Sequence, residues 1–291
     1  MEMNLFEIEH LRCSYDKHYC EGRSKVVLEI DHIQIPQGKR VFIVGESGIG
    51  KSTILETLGM MNNTIVPDED TRFLFTDETG MQTDLKALWK RGSDGTLSSF
   101  RRGHYSFIFQ STNLMRNFTA FENIAFTRML QGFTQFSCFQ RARKILEELG
   151  LEHVDERRFA QELSGGQQQR LAFARAIIPE FTVLFGDEPT GNLDAENAHR
   201  VMSILSDRLQ ANSTASAIIV SHDMHLAVQF ADVIIKIRKC IRPKTHEDDE
   251  DITYGRIDEA CVYTPDSQSG VWTNGTDCYE TSAFEDFLRK K

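Results

Sequence analysis

The fold of this 291-residue chain is decided by one stretch, residues 45–52, which reads Gly45-Glu46-Ser47-Gly48-Ile49-Gly50-Lys51-Ser52. An apolar run at residues 41–44 precedes it and a helical pattern follows it, so we expect a loop between a strand and a helix. Glycines let backbone N–H groups curl around phosphate oxygens, and the helix start adds partial positive charge. The pattern predicts a phosphate-binding loop in which Lys51 reaches the β- and γ-phosphates and the Ser52 hydroxyl ligates Mg²⁺. The alternative is a glycine-rich turn without a ligand.

A second motif is an apolar strand that ends in two carboxylates, at residues 182–188. In parallel sheets, ligands bind beyond the carboxyl ends of the strands. We therefore expect Asp187 to hold Mg²⁺ through water. Glu188 is expected to lie closer to the γ-phosphate and to polarise the attacking water.

A third motif is a Ser-Gly-Gly turn at the start of a helix, within the sequence Leu163-Ser164-Gly165-Gly166-Gln167. The helix carries apolar residues on one face and stops at Pro179. Its N-terminus is a second site suited to an anion. Because the first loop already serves one nucleotide, this site implies another ligand, or the same ligand approached from another subunit. A plain helix cap is the alternative.

The remaining pattern indicates an α/β fold. Short apolar runs alternate with helical patterns, which is typical of a parallel sheet covered by helices; the runs are residues 41–44, 107–109, 183–185, 217–220 and 233–237. One predicted helix carries apolar residues at 142, 145, 146 and 149 and is closed by Gly150. Residues 60–100 are polar and mixed, without clear periodicity.

Composition excludes several classes of protein. Hydrophobic residues make up 40% and charged residues 26%, which is ordinary for a soluble globular chain. The sequence contains neither a run of 18 apolar residues nor a secretory signal, so we expect a cytosolic location. The net charge of −10 argues against binding along a nucleic acid backbone. Six scattered cysteines, without C-x-x-C spacing, favour free thiols in a reducing compartment.

With its motifs in this order, the chain resembles ABC-type ATPases from about residue 5 to residue 238. The similarity is greatest to the branch that includes lipoprotein-release, macrolide-export and cell-division systems. It implies a P-loop ATPase domain at residues 1–240, with a mostly parallel core sheet, an antiparallel β region and a helical subdomain at about residues 112–165. It also implies ATP and Mg²⁺ as cofactors.

The resemblance assigns further residues. Tyr15 corresponds to an aromatic that stacks on adenine, Gln110 to a glutamine at Mg²⁺ and the attacking water, and His222 to a histidine at the γ-phosphate. Alternatives are a plain aromatic for Tyr15 and a structural histidine for His222. The predicted catalytic residues are Glu188, His222 and Gln110, and the predicted metal ligands are Ser52, Gln110 and Asp187. The predicted nucleotide contacts are Tyr15, Gly45, Glu46, Ser47, Gly48, Ile49, Gly50, Lys51, Ser52, Thr53, Ser164, Gly165, Gly166, Gln167 and Asp194.

The resemblance also implies partners. Two copies would meet head to tail, with each ATP between Lys51 of one copy and residues 164–166 of the other. Integral membrane, permease-like subunits would complete a transporter, and the chain would lie in the cytoplasm on the inner face of the membrane. The alternative is a non-transport ABC ATPase that uses ATP-driven dimerisation for signalling, mechanotransmission or defence. A ribosome- or DNA-acting ABC protein is disfavoured by the single cassette and the acidic charge.

Three departures from the family pattern concern Ile49, which is bulkier than usual, the long region 61–100, and the tail. Residues 241–291 are predicted to form an acidic C-terminal extension, in which residues 240–291 hold twelve Asp and Glu against six Lys and Arg. We expect a solvated acidic run at residues 247–251, a hairpin strand at residues 254–257 and a short helix. Phe284, Phe287 and Leu288 fall on one face of that helix. The alternative is a frayed terminus.

Overall fold

The computed structural model describes residues 3–16, 25–66, 68–154, 157–243, 251–266 and 269–290, so Cys20 and residues 247–250 of the acidic run lie outside the described residues. The strands, in chain order, are β1 (Asn4–Ser14), β2 (Val26–Pro36), β3 (Arg40–Val44), β4 (Arg72–Thr76), β5 (Gln82–Asp84), β6 (Tyr105–Ile108), β7 (Val183–Asp187), β8 (Ser216–Val220), β9 (Val233–Lys236), β10 (Arg238–Arg242), β11 (Ile252–Ile257), β12 (Val262–Pro265), β13 (Val271–Thr273) and β14 (Cys278–Glu280).

The helices, in chain order, are α1 (Lys51–Leu58), α2 (Leu85–Arg91), α3 (Asp94–His104), α4 (Ala120–Leu130), α5 (Gln135–Glu148), α6 (Gly165–Ile177), α7 (Ala195–Ala211), α8 (Met224–Phe230) and α9 (Thr281–Arg289). Within the described ranges, none of these helices has the length and apolar content needed to cross a membrane. The chain divides into two compact units, Met1–Leu97 with Val220–Lys291 (unit 1) and Ser98–Ile219 (unit 2). The predicted domain boundary at residue 240 stays a prediction.

Unit 1 contains a six-stranded sheet in the order β10-β11-β2-β1-β4-β5. Its pairs are antiparallel except for β11, which runs parallel to β2. Buried and more exposed residues largely alternate along β2, because neighbouring side chains of a strand point to opposite faces. A second set of strands has the order β14-β13-β12-β9-β3, in which β3 and β9 are parallel.

Unit 2 is built on the strands β8-β7-β6, in which β6 and β7 run parallel. All five residues of β8 are buried, as are the first four of β7, which is typical of a parallel sheet covered by helices. Helices α4 to α7 belong to this unit. The prediction of an α/β fold with a mostly parallel core sheet is therefore confirmed.

One expectation about the bounds of a strand is wrong. The run at residues 107–109 is part of β6, but that strand begins at Tyr105 and ends at Ile108, so Phe109 and Gln110 follow it. Pairing with β7 from Tyr105 onward fixes this register, which local propensity does not reveal. The region at residues 60–100, for which the sequence shows no clear periodicity, forms β4, β5, α2 and most of α3. These elements are short, so periodicity could not identify them.

The extension ends in a packed helix. Residues 254–257 lie in β11 as predicted, and α9 buries Phe284 and Leu288 on one face. Phe284 is stacked on Trp272, with ring centroids 5.0 Å apart, and also contacts Tyr263. The Lys236 ammonium donates to two carbonyl oxygens at the end of α9. A frayed terminus is therefore the wrong interpretation of this segment.

Candidate functional site

The phosphate loop of unit 1 runs from the end of β3 into the first turn of α1. Gly50 caps α1 with a φ of 101°, which side chains rarely adopt, and a Cβ there would lie 3.2 Å from the carbonyl oxygen of Val27. Gly48 also has a positive φ, of 77°. Ile49 is only 2% exposed, so its larger side chain is accommodated in the interior. The loop therefore presents backbone and a helix N-terminus, as phosphate binding requires.

Lys51 lies under this loop, and its side chain is nearly buried. Its ammonium donates to the carbonyl oxygens of Gly45 and Glu46, at 2.8 and 2.7 Å. A phosphate oxygen is a stronger acceptor than a neutral carbonyl because it is charged. The ammonium is thus held where an incoming phosphate can take over its hydrogen bonds. Ser52, the next residue, is exposed.

Tyr15 lies beside the first turn of α1. Its hydroxyl donates to the Glu56 carboxylate at 2.9 Å and is 3.2 Å from the Thr53 hydroxyl oxygen. Partial burial raises the pKa of Tyr15. The residue is still 52% exposed, so its ring offers a surface on which a flat base can stack. This geometry supports the predicted contact with adenine, which stays a prediction.

His222 lies in a short turn between β8 and α8. The preceding Ser221 donates its N–H to the carbonyl oxygen of Ile43, which is in β3 and two residues before the phosphate loop. The Ser221 hydroxyl accepts from the N–H of Asp223, and the Asp223 carboxylate caps α8. His222 is exposed in this turn. Unit 1 therefore brings Tyr15, the phosphate loop and His222 to one region.

In unit 2, the predicted catalytic groups follow two neighbouring strands. Ile108 of β6 is in register with Gly186 of β7, so Gln110 and the pair Asp187 and Glu188 lie at the same sheet edge. Glu188 has a φ of 49°, which is uncommon for a residue with a side chain. Such a conformation costs roughly 1–2 kcal/mol and persists only where the surroundings impose it.

The Ser-Gly-Gly turn begins α6 with a capping box. The Ser164 hydroxyl accepts from the N–H of Gln167, and the Gln167 side chain accepts from the N–H of Ser164. A Cβ added at Gly165 or Gly166 would meet none of the described atoms within 4 Å. The open surface at the start of α6 is therefore available to another molecule. Buried Gln169 donates to the carbonyl oxygen of Pro189 and ties α6 to the loop after Glu188.

Asp194 begins α7. Its two carboxylate oxygens accept from the backbone and the side-chain amide of Asn197, at 2.9 and 2.8 Å, and these hydrogen bonds lower the pKa of Asp194. Its position is thus explained by helix capping alone. The predicted contact of Asp194 with ATP stays a prediction.

Two residues beside the phosphate loop were not found from the sequence. Lys239 of β10 forms an ion pair with Glu46, at 2.9 Å. Gly255 of β11 lies against the backbone of Ile49. Both are distant in sequence from the loop and belong to no motif, so only the fold reveals them.

Comparison with known proteins identifies the family. Residues 28–191, more than half of the chain, match the ABC transporter family. The lipoprotein-releasing system ATP-binding protein LolD of Saccharophagus degradans is 37% identical over 212 residues, which cover 72% of this chain and 86% of that protein. The macrolide export ATP-binding/permease protein MacB of Aggregatibacter actinomycetemcomitans is 35% identical over 239 residues, which cover 81% of this chain and 34% of that longer protein.

Solved structures agree. The ATP-binding cassette MJ0796, solved as a dimer in a post-hydrolysis state with ADP and phosphate, has a TM-score of 0.66 and 26% identity. The similarity covers 79% of this chain and 93% of that one. Family match, sequence identity and fold therefore point the same way, and the chain belongs to the ABC transporter family of ATP-binding proteins.

Proposed function

We propose that this chain is the ATP-binding and ATP-hydrolysing subunit of an ABC transporter or related membrane machine, and that it works as a homodimer. The observation that carries the proposal is the phosphate loop. There, a nearly buried Lys51 is held by two loop carbonyls beside the N-terminus of α1. When a polyphosphate binds, its oxygens can replace those carbonyls as acceptors of the Lys51 hydrogen bonds.

Mg²⁺ fits the donors that the chain offers. The Ser52 hydroxyl, the Asp187 carboxylate and the Gln110 amide oxygen are hard oxygen ligands of the kind that Mg²⁺ prefers. In our proposal Ser52 and Gln110 would ligate the ion, and Asp187 would hold it through water. When bound, the ion neutralises charge on the phosphates.

Hydrolysis is assigned to Glu188. A water molecule attacks the γ-phosphorus, its proton passes to the Glu188 carboxylate, and the bond to the oxygen that leaves with ADP breaks. His222 contacts the γ-phosphate in this proposal. The uncommon backbone conformation of Glu188 supports the assignment, because strained residues cluster at active sites.

Dimerisation would complete the site. The capped N-terminus of α6, with open space at Gly165 and Gly166, suits the γ-phosphate of an ATP bound to another copy. Each copy has a net charge of −10, so two copies without nucleotide repel one another. The dimeric state of MJ0796 supports this proposal.

A groove in unit 2 suits the membrane partner. Its volume is about 550 Å³, and its lining includes Phe107, Phe109, Phe126, Leu130 and Arg102. Phe126 and Leu130 are 36% and 51% exposed. We assign the groove to an amphipathic helix of a permease subunit, with its apolar face inward and a carboxylate toward the arginine. The chain would then lie on the cytoplasmic face of the membrane.

The Glu188→Gln variant tests the proposal. It keeps the size of the side chain and removes the base, so turnover of ATP should fall by about 10²–10⁴-fold. The control is Glu196→Gln, which changes an exposed carboxylate on α7 and should leave turnover unchanged. Sedimentation of Glu188→Gln should show a dimer with MgATP and a monomer without it. Near-normal turnover, or a dimer of equal stability without nucleotide, would refute the proposal.

The alternative of a non-transport ATPase is not favoured, because the relatives are ATP-binding components named for lipoprotein release and macrolide export. Movement of a substrate across reconstituted vesicles, driven by ATP, would separate the two functions.

A further inference from the structure

The hairpin of β10 and β11 packs directly on the phosphate loop. A Cβ at Gly255 would collide with the carbonyl oxygen of Ile49 and lie 2.8 Å from the Ile237 side chain. Only a residue without a side chain lets β11 approach the loop this closely. The hairpin is thus in backbone contact with the middle of the loop.

The same hairpin supplies a counter-charge to the loop. Glu46 places a carboxylate within the phosphate loop, where it would repel a bound polyphosphate. Lys239 of β10 pairs with this carboxylate, with 2.9 Å between Nζ and Oε2. Burial lowers the pKa of nearby Lys236, and the Glu46 charge opposes that shift, so the carboxylate acts on both lysines.

We propose that Lys239 is a positioning residue that sets the affinity of the phosphate loop for ATP by neutralising Glu46, and that Gly255 brings the hairpin close enough to do so. The inference rests on the proposed nucleotide site. Lys239 contacts the loop through Glu46, and it is not among the residues assigned to the nucleotide. The affinity for MgATP would then depend on an ion pair between residues that are 193 positions apart in the sequence.

The expected loss of MgATP affinity depends on how far the ion pair is exposed to solvent. The side chains of Lys239 and Glu46 are 47% and 26% exposed, so the pair is partly screened by solvent. The repulsion acts on several phosphate charges together. We expect loss of the Lys239 charge to weaken MgATP binding about fivefold to twentyfold at low ionic strength. Salt should reduce the effect, because ions screen exposed charges.

A double-mutant cycle tests the inference on the full chain. MgATP is titrated calorimetrically into proteins that carry Glu188→Gln to prevent turnover. Lys239→Met should weaken binding by the stated factor, and Glu46→Gln, which removes the repelling carboxylate and keeps the lysine charge, should tighten it. In the double variant Lys239→Met/Glu46→Gln, the affinity should return to within about twofold of the protein that keeps both residues, because the net charge at the pair is again zero. If Lys239 had only a structural role, removal of the Glu46 carboxylate would not restore the affinity.

A matched ion pair on the same strand serves as the control. Arg242 of β10 binds Glu29 at 2.6 Å, away from the loop. Arg242→Met should leave the MgATP affinity unchanged. Equal weakening by Lys239→Met and Arg242→Met, or failure of the rescue, would overturn the inference. A chain that binds no MgATP before any hairpin substitution refutes the nucleotide site itself.

The glycine has its own test. Gly255→Ala should weaken MgATP binding, because it displaces the hairpin and with it the ion pair of Lys239 and Glu46. Adding Lys239→Met to Gly255→Ala should therefore weaken binding by a smaller factor than Lys239→Met does in the unaltered hairpin. Gly103→Ala, at a position where a Cβ meets no described atom within 4 Å, is the control. Additive effects of Gly255→Ala and Lys239→Met would contradict this part. If Gly255→Ala does not fold, the cycle of Lys239 and Glu46 still decides the inference.

Discussion

Replacing Phe284 with alanine would remove a fully buried side chain that holds α9. Phe284 is fully buried, and its ring lies 5.0 Å from that of Trp272 and 5.1 Å from that of Tyr263. Truncation of a buried phenylalanine costs about 3–5 kcal/mol. A nine-residue helix is not stable alone, so its order depends on such contacts. The remaining contacts of α9 include the stacking of Phe287 on Tyr279 and the hydrogen bonds of Lys236, and they oppose only part of the loss.

The loss should be local. Since each 1.4 kcal/mol is a factor of ten, opening of α9 should become more frequent by on the order of 10²–10³-fold. Hydrogen exchange, followed by mass spectrometry on peptides from residues 281–290, measures this opening. Phe136→Ala is the control, since Phe136 is 73% exposed on α5 and belongs to unit 2. Exchange in α9 should be unchanged in that variant.

Two results would refute this reasoning. Exchange in α9 that rises less than about tenfold would mean that Phe284 is not the main anchor. A collapse of MgATP affinity in a folded Phe284→Ala protein would mean that α9 contributes to the nucleotide site. We expect neither, because every nucleotide contact predicted from the motifs precedes or includes His222.

Two further substitutions address the phosphate loop and the groove. Lys51→Ala should abolish measurable MgATP binding in a calorimetric titration while the melting temperature without nucleotide stays within a few degrees; unchanged affinity would remove the phosphate role of Lys51. Leu130→Asp should reduce the fraction of the chain that sediments with membranes of its own cells, because a carboxylate in an apolar groove opposes docking. Phe136→Asp, which lies outside the groove, should leave this fraction unchanged. Equal sedimentation of the two variants would contradict the assignment of the groove to a membrane partner.

The central sheet and the phosphate loop were predictable because their signals are local. The loop has fixed residues at fixed spacing, and β3, β7 and β8 are apolar runs that a buried parallel sheet requires. Helix α9 was also predictable, because Phe284 and Leu288 are spaced by four residues.

The last two strands of the extension, β13 and β14, were not predictable in the same way. β13 and β14 have three residues each, and their order depends on aromatic side chains brought together from several elements. The register of β6 is set by its partner strand rather than by its own residues. The contact of Lys239 with Glu46 joins positions that only the completed sheet makes neighbours.

The open space at Gly165 and Gly166 has a genetic consequence. Alanine at either position is compatible with the helix and collides with no described atom of its own subunit, so such a variant would fold and accumulate normally. If the surface serves a second copy, the defect arises only on assembly. In a cell that expresses both forms, variant chains would pair with normal ones and spoil their sites. The phenotype would then be dominant, whereas loss of a subunit by misfolding would be recessive.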